Sequence, residues 1–325
     1  MSCRRLLAIV ALFISLCAPA HAQEWPTRPV TMVVPFAPGG VYDTLGRVYA
    51  AALSDGLGQQ IIVENVPGAG SMTGAARVSR ADPDGYQLLF GGESPNAQVQ
   101  LLHKEPPYDA PTDFAPVALV AQQPLILTTR PGIPAGTLPD FIAYAKKNQS
   151  TMQYGSPGTG TGSHLACALF DVDIGVAITH VPYRGLAPAM QDLLAGRIDY
   201  MCPTITTAMA QLQSHAVQAP AVLGSERSPA FPDIATADEQ GLKGFSANSW
   251  NAIFLPKATP PAIVAKLNAA VLAAMASPSV QQRVRELGAT LPPPEHRTVQ
   301  YLGGFVVSEI KTWGAAIKAA GITAE

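Results

Sequence analysis

Charge is scarce in this 325-residue chain. Lys, Arg, Asp and Glu together make 14% of it, against about 25% in an average soluble protein, and no run of Lys or Arg occurs. Phosphate backbones and anionic membranes are recognised through clustered basic side chains. Nucleic acid is therefore not an expected partner, and no polybasic membrane patch exists. Cysteine is equally sparse, with four residues and no CxxC pair, so no zinc-type spacing is present. The His residues lack ligand spacing as well. No metal and no cofactor is expected. A G-x-S-x-G elbow is missing, and Ser163 and His164 are adjacent, a spacing at which helical neighbours point apart. His164 and His180 read as packing or polar-rim residues, no catalytic residue is assigned, and an enzyme is not expected.

Long apolar runs are missing too, except at the start. Arg4 and Arg5 precede an apolar stretch over Leu6–Ala18, and Ala20-His21-Ala22 offers a small-residue exit. That order is a secretory signal peptide over residues 1–22, and the run is shorter than the roughly 20 residues that span a bilayer. Cys17 raises a lipoprotein reading, but the large Leu16 before it ranks that second. Cleavage after Ala22 removes two arginines and no acid, which moves the net charge from −2 to −4. Cys167 and Cys202 remain. In an exported chain they pair as a disulfide or stay as two buried thiols, and the spacing does not choose between them.

What is present is alternation. Apolar residues make 48% of the chain, enough for a globular core, and the length suits two domains at roughly 100–200 residues each. Val30–Phe36 reads as a strand buried on both faces, with Asp43 capping a helix to about Leu57. Gln60–Glu64 and Tyr86–Gly91 complete a βαβαβ unit, which implies parallel strands with right-handed crossovers. Pro116–Ala121 and Leu125–Thr129 read as further strands. Thr137-Leu138-Pro139-Asp140 resembles a capping box. The alternation restarts with strands at Met152–Gly155, Ile178–Pro182 and Ile198–Cys202 and helices from Gly162 and over Leu186–Ala195. Val217–Gly224 and Ser249–Leu255 are the last strands. A helical tail follows, with Thr259-Pro260 and Ser277-Pro278 as helix starts and an amphipathic helix over Val299–Ala319.

Ligands of open α/β sheets sit beyond the C-terminal ends of the strands. After the first strand comes Phe36-Ala37-Pro38-Gly39-Gly40-Val41-Tyr42-Asp43, and after the strand at 152–155 comes Ser156-Pro157-Gly158-Thr159-Gly160-Thr161-Gly162-Ser163-His164. Both are glycine-rich and both lead into a helix. Free N–H groups and the helix dipole at such a place favour an anion without Lys or Arg. A plain strand-to-helix turn has the same composition. Gly158-x-Gly160 lacks the last glycine of a dinucleotide fingerprint, because Ser163 stands there.

These residues resemble the substrate-binding receptors of tripartite tricarboxylate transporters, the Bug/TctC-type family. The ordered markers are Val33-Val34-Pro35-Phe36-Ala37-Pro38-Gly39-Gly40-x-x-Asp43, Val63-Glu64-Asn65-x-Pro67-Gly68-Ala69-Gly70, Pro83-Asp84-Gly85-Tyr86 and Asp113-Phe114-Ala115-Pro116-Val117. Then come Tyr154-Gly155-Ser156-x-Gly158-x-Gly160-Thr161, His180-Val181-Pro182-Tyr183-Arg184-Gly185, Ser228-Pro229-x-x-Pro232-Asp233 and Ser249-Trp250. The resemblance spans nearly the whole chain after residue 22. It implies a two-lobed periplasmic binding protein of α/β class (type II-like) with two crossing strands as hinge. The expected lobes are 23–124 plus 245–325 and 125–244. It implies a small organic carboxylate as ligand, held by Phe36, Ala37, Gly40, Val41, Tyr42 and Asp43 on one side. On the other side are Ser156, Thr159, Gly160, Thr161, Ser163, His164 and Arg184. A monomer that delivers its ligand to membrane transporter subunits is expected, with a sensory role toward a membrane partner as the alternative. Three departures mark the far end of the ligand: Val41-Tyr42 in place of a small polar pair, Cys202-Pro203-Thr204 in place of an aromatic residue, Asp and Asn, and the unusual Gly92-Glu93-Ser94-Pro95-Asn96. Ser94 and Pro203 join the site on that basis. Together they point to a ligand less polar than citrate, an aromatic mono- or dicarboxylate, and the missing acid at 203 argues against an amine.

Overall fold

Val30–Val34 (β1) has four of its five residues buried, as a continuous Val/Met run requires when helices cover both sheet faces. The computed structural model describes residues 24–134, 136–183, 185–319 and 321–322. The leader at 1–22 and Arg184 lie outside the described residues. After β1 come α1 (Val41–Leu57), β2 (Ile61–Asn65), α2 (Met72–Ser79), β3 (Gln87–Gly92), a π-helical turn (Ser94–Gln98), the short α3 (Ala110–Asp113) and β4 (Phe114–Pro124). Next are β5 (Ile126–Thr129), α4 (Leu138–Asn148), β6 (Gln153–Ser156), α5 (Gly162–Ile174), β7 (Thr179–Pro182), α6 (Leu186–Leu194), β8 (Tyr200–Met201), α7 (Ile205–Gln213) and β9 (Gln218–Val222). The chain ends with β10 (Asn248–Pro256), α8 (Pro261–Ala276), α9 (Pro278–Glu286) and α10 (Val299–Ala319).

Two five-stranded sheets result, in the orders β2-β1-β3-β10-β4 and β7-β6-β8-β5-β9. In the first, β1 runs parallel to β2 and β3, while β10 is antiparallel to β3 and β4. In the second, β6 is parallel to β7 and β8, and β5 is antiparallel to β8 and β9. The chain passes between sheets twice. It leaves the first at Pro124-Leu125 and returns at Ala247-Asn248, and Leu125 N–H donates to Ala247 O at 3.3 Å. Two crossing strands laced side by side make a two-stranded hinge.

Each sheet is covered on both faces. Helices α1, α8 and α9 close one face of the first sheet, and α2 and α10 the other. Leu165 of α5 also packs into this second cluster, although α5 belongs to the other sheet. A fully buried Leu is worth about 1.5–3 kcal/mol, so this side chain alone contributes to holding the two halves together. Cys167 of α5 and Cys202 after β8 are joined as a disulfide inside the core of the second half.

Three local expectations change. Gly40, not Asp43, is the N-cap of α1, and Asp43 sits inside the first turn. Thr259 does not cap α8, because its hydroxyl donates to Pro256 O at 2.7 Å and so closes the preceding turn, which leaves Pro260 at the cap. The strand expected at Ile198–Cys202 shortens to Tyr200–Met201, and helix α7 at Ile205–Gln213, which was not expected, follows it. Thr137 is the N-cap of α4, with its Oγ1 accepting from Asp140 N–H at 3.4 Å, but the Asp140 carboxylate accepts from the Thr137 hydroxyl at 2.7 Å.

Candidate functional site

The Phe36–Asp43 loop is built around Asp43. Its Oδ2 accepts from Gly39 N–H at 2.9 Å, its Oδ1 accepts from Asn65 Nδ2 at 2.9 Å, and Arg47 lies 2.9 Å from Oδ1. Burial pushes the Asp43 carboxyl up, but Arg47, Gly39 and Asn65 outweigh it and hold the group below its usual range. Asp43 is thus a brace, with its oxygens already engaged. Gly39 takes a φ of +86°, the left-handed region that glycine adopts at little cost. Ala37 to Gly40 are exposed, and Phe36 packs on Tyr42 with centroids 4.4 Å apart and ring planes tilted by 42°. The N–H groups of Val41, Tyr42 and Asp43 open α1 and have no intrahelical acceptor.

The second loop is braced in the same manner by imidazoles. His164 Nδ1 accepts from Gly160 N–H at 3.0 Å, and Ser156 Oγ accepts from Gly158 N–H at 3.2 Å. Ser156 Oγ also bonds His180 Nε2 at 2.7 Å. His164 stacks on His180 at 3.9 Å, and His180 on Tyr154 at 4.9 Å. Burial pushes His164 down to about 3, with His180 beside it adding to the effect, and burial pushes His180 down to about 4. Both rings are neutral, as His164 must be to accept a hydrogen bond. Thr161 caps α5 by accepting from His164 N–H, and the N–H groups of Gly162 and Ser163 have no acceptor within the helix. Ser163 Oγ has no partner among the described residues, and His164 is committed to Gly160. Ser163 and His164 therefore form no nucleophile–base pair, and the Ser156 hydroxyl that meets His180 is engaged by the Gly158 backbone, bonding its carbonyl oxygen at 3.0 Å and its N–H at 3.2 Å.

Between these two helix ends stands Glu93. Its Oε2 accepts from Tyr42 Oη at 3.1 Å and from Trp250 N–H at 2.9 Å, and its Oε1 accepts from Ser249 Oγ at 2.8 Å. A Cβ built on Gly162 would stand 3.1 Å from Glu93 Oε1, so glycine is what lets α5 approach this carboxylate. Burial lifts Glu93 to about 6, against the hydrogen bonds that favour its charge. Through Glu93 the first turn of α1 and the first turn of α5 share one cleft. Thr159 is exposed and faces Ala69, Gly70, Val99 and Leu102 across a cavity of about 230 Å³.

The sequence-selected residues thus fall in two places. Phe36, Ala37, Gly40, Val41, Tyr42 and Asp43 lie on one side of the cleft, and Ser156, Thr159, Gly160, Thr161, Ser163 and His164 on the other. Ser94 spends its hydroxyl on Gly70 O at 3.1 Å, with Ser71 Oγ at 3.2 Å, and so fastens the 68–71 loop. Pro203 is buried at the hinge, where its carbonyl accepts from Ile126 N–H at 2.9 Å. Glu93, Gln98, Ser249, Asn251 and Gln123 had not been singled out. Glu93 had a signal, an acid at the end of a buried apolar strand inside an unusual loop, but only Ser94 was drawn from that loop. It also supplies the cleft with a carboxylate that position 203 lacks.

Two α/β halves joined by a two-stranded hinge, with a glycine-opened helix end on each side of one cleft, define a two-lobed solute-binding protein. The model of the tripartite tricarboxylate transporter family receptor matches residues 45–322. An Agrobacterium vitis protein, the UPF0065 protein in the TAR-I ttuE-ttuC' intergenic region, is 38% identical over 98% of this chain and 92% of its own length. MatC from Rhodopseudomonas palustris, solved with bound malate, matches with a TM-score of 0.81 at 39% identity, over 90% of this chain and 100% of that one. A second R. palustris protein, solved with adipate, gives a TM-score of 0.85 at 34% identity, over 93% of this chain and 100% of that one. The chain belongs to the tripartite tricarboxylate transporter receptor family, and it is a receptor rather than an enzyme.

Proposed function

We propose that this protein captures a small organic carboxylate in its interlobe cleft and presents it to the membrane subunits of a tripartite tricarboxylate-type transporter. Lobe one comprises 23–124 plus 245–325 and lobe two 125–244, and the receptor is a monomer in the periplasm after removal of residues 1–22. The observation that carries the reading is the approach of two helix N-termini, α1 and α5, to one carboxylate, Glu93, with no Lys or Arg among the residues described around it. Backbone N–H groups and helix dipoles supply the positive potential instead. Glu93 already faces the end of α5, so like-charge repulsion directs the ligand carboxylate toward the first turn of α1 and the exposed Ala37 and Gly40 amides. The loop at Ser156–His164 closes over it. The aromatic pair Phe36–Tyr42 favours a flat, weakly polar body, which supports an aromatic mono- or dicarboxylate. MatC and the adipate-bound protein, with their two different acids, support the ligand class rather than one compound.

The test is thermal shift and titration calorimetry of the purified protein with benzoate, adipate, malate and citrate, each beside its uncharged amide. An acid at 100 times its Kd should add about 2.7 kcal/mol, while its amide adds nothing. Equal response to acid and amide, or none to any acid, overturns the reading.

A further inference from the structure

Phe305, Glu309 and Trp313 recur every four residues along α10 and so share one face of that helix. Over that face lies a cavity of about 270 Å³. Trp250 of β10 lines it as well, and Leu169 of α5 and Gly244 complete it from the second half of the molecule. None of the lining residues belongs to the loops at Phe36–Asp43 and Ser156–His164. Successive side chains of a strand point to opposite faces, so Trp250 turns away from the face on which Ser249 meets Glu93.

Glu309 is the polar centre of this cavity. Its Oε2 accepts from Trp250 Nε1 at 2.8 Å and from Trp313 Nε1 at 3.1 Å, and its Oε1 accepts no hydrogen bond among the described residues. No described Lys, Arg or His pairs with it, and none lines the cavity. Burial lifts the Glu309 carboxyl above its usual value, against the two indole bonds. Trp250 and Trp313 are buried, and Phe305 is half-buried and meets Trp250 edge to face, with centroids 5.2 Å apart.

The chemistry of a guest follows from these walls. A half-buried carboxylate with one oxygen unpaired and no cation beside it repels an anion and gains from a positive charge. A neutral apolar guest leaves that oxygen unpaired. A metal ion asks for several ligands, and among the described residues no group of three His, Cys, Asp or Glu could hold one. An organic ammonium ion suits both surfaces. Its charge meets Oε1, and its carbon groups meet aromatic rings, whose quadrupole attracts a weakly hydrated cation. The volume is close to the lower end, roughly 300 Å³, of ligand pockets, which fits a small guest.

We propose that the cavity between α10 and α5 is a second binding site, separate from the carboxylate cleft, and that it takes a small organic ammonium ion on Glu309 among Trp250, Trp313 and Phe305. Its walls come from both halves, so the site is complete only where α5 lies against α10.

Choline and its uncharged isostere 3,3-dimethylbutan-1-ol test it. Trp250 and Trp313 are two of the three tryptophans in the chain, so in Trp25→Phe protein the intrinsic fluorescence reports from this cavity alone. Choline should change that fluorescence saturably, with a Kd about tenfold or more below that of the alcohol. Glu309→Gln keeps an oxygen for the two indoles and loses the charge, and it should bring the two Kd values to within about threefold of each other. Circular dichroism and melting curves establish that the variant folds. The choline-to-alcohol ratio in the parent protein decides the matter even if it does not. Absence of a saturable change with choline up to about 10 mM, equal affinity for choline and the alcohol, or choline affinity unchanged in folded Glu309→Gln each overturns the site. The last of these places the cation elsewhere on the molecule. None of them bears on the carboxylate reading, which is tested with acids in the other cleft.

Discussion

Tyr42, the second residue of α1, donates its hydroxyl to Glu93 Oε2 at 3.1 Å across 51 residues of sequence. Both side chains are buried. Burial, and then the neighbouring Glu93 charge, push the Tyr42 phenol well above its usual range, so it stays a donor. This bond ties the start of the first ligand loop to the turn after β3. Tyr42→Phe removes the donor and leaves Glu93 short of one partner. A buried polar group left unpaired costs about 1–3 kcal/mol. Urea denaturation of Tyr42→Phe in ligand-free protein should show a loss of that order, and a midpoint equal to wild type would contradict the tie.

Gly162 is a contact glycine. An alanine there places its Cβ 3.1 Å from Glu93 Oε1, so the lobes must separate slightly to accept it. Gly162→Ala should lower affinity for the best-binding acid about tenfold, with the loss in the dissociation rate. Small-angle scattering of the ligand-bound variant should show incomplete closure. An unchanged dissociation rate speaks against close approach of α5 to Glu93.

The stacked imidazoles give a pH signature. His164 is held down to about 3 and His180 to about 4, from an ordinary value of 6.5. A lowered native value means that the unfolded chain binds more protons below pH 6.5. Stability from these rings is complete above that pH and is lost as pH falls toward 4. Glu93, raised from 4.5 to about 6, works in the opposite sense between those values. The difference between wild type and His180→Gln isolates the ring. The stability advantage of wild type should be largest at pH 7 and shrink steadily to pH 4, as followed by urea midpoints. A difference independent of pH shows that His180 is not neutral in the fold.

The Cys167–Cys202 link closes a sequence separation of 35 residues inside the second lobe. Disulfides of this kind stabilise by about 2–4 kcal/mol, largely by limiting the unfolded chain. Urea unfolding with and without a phosphine reductant should reveal a difference of that size. Identical midpoints mean that the bridge contributes nothing to the folded state.

Asp43→Ala should free Gly39 N–H, Asn65 and Arg47 together. The Phe36–Gly40 loop then loses its brace, and acid affinity should fall about tenfold or more while the melting temperature drops by only a few degrees. Hydrogen exchange localised to residues 36–43 is the check. Unchanged exchange there removes Asp43 from its bracing role.

Much of the architecture was legible because it is local. Strand β1 announces itself by continuous burial, α5 by Thr161 before Gly162, and α10 by an apolar stripe over Val299–Ala319. The two glycine-rich loops were legible for the same reason, since backbone freedom at Gly39 or Gly160 is a property of the residue. Asp43 shows the limit. Its place in the loop was readable and the family resemblance put it on the ligand side, while in the fold its oxygens serve Gly39, Asn65 and Arg47. Ser94 and Glu93 are neighbours, and nothing local says which of them turns toward the second lobe.

The sequence by itself determined the class of the molecule: alternating α/β units, a leader pattern, two anion-type loops and a family membership carried by ordered motifs. Periodicity, capping and glycine spacing act within a few residues, so they survive without coordinates. Only the tertiary structure decided the strand orders, the pairing of Cys167 with Cys202, the stacking of His164 on His180 and the bonds of Glu93 to Tyr42, Ser249 and Trp250. The last three of these join residues 16 to 157 positions apart, and they exist because sheet packing and the double crossing at Leu125 and Ala247 bring distant side chains to one place.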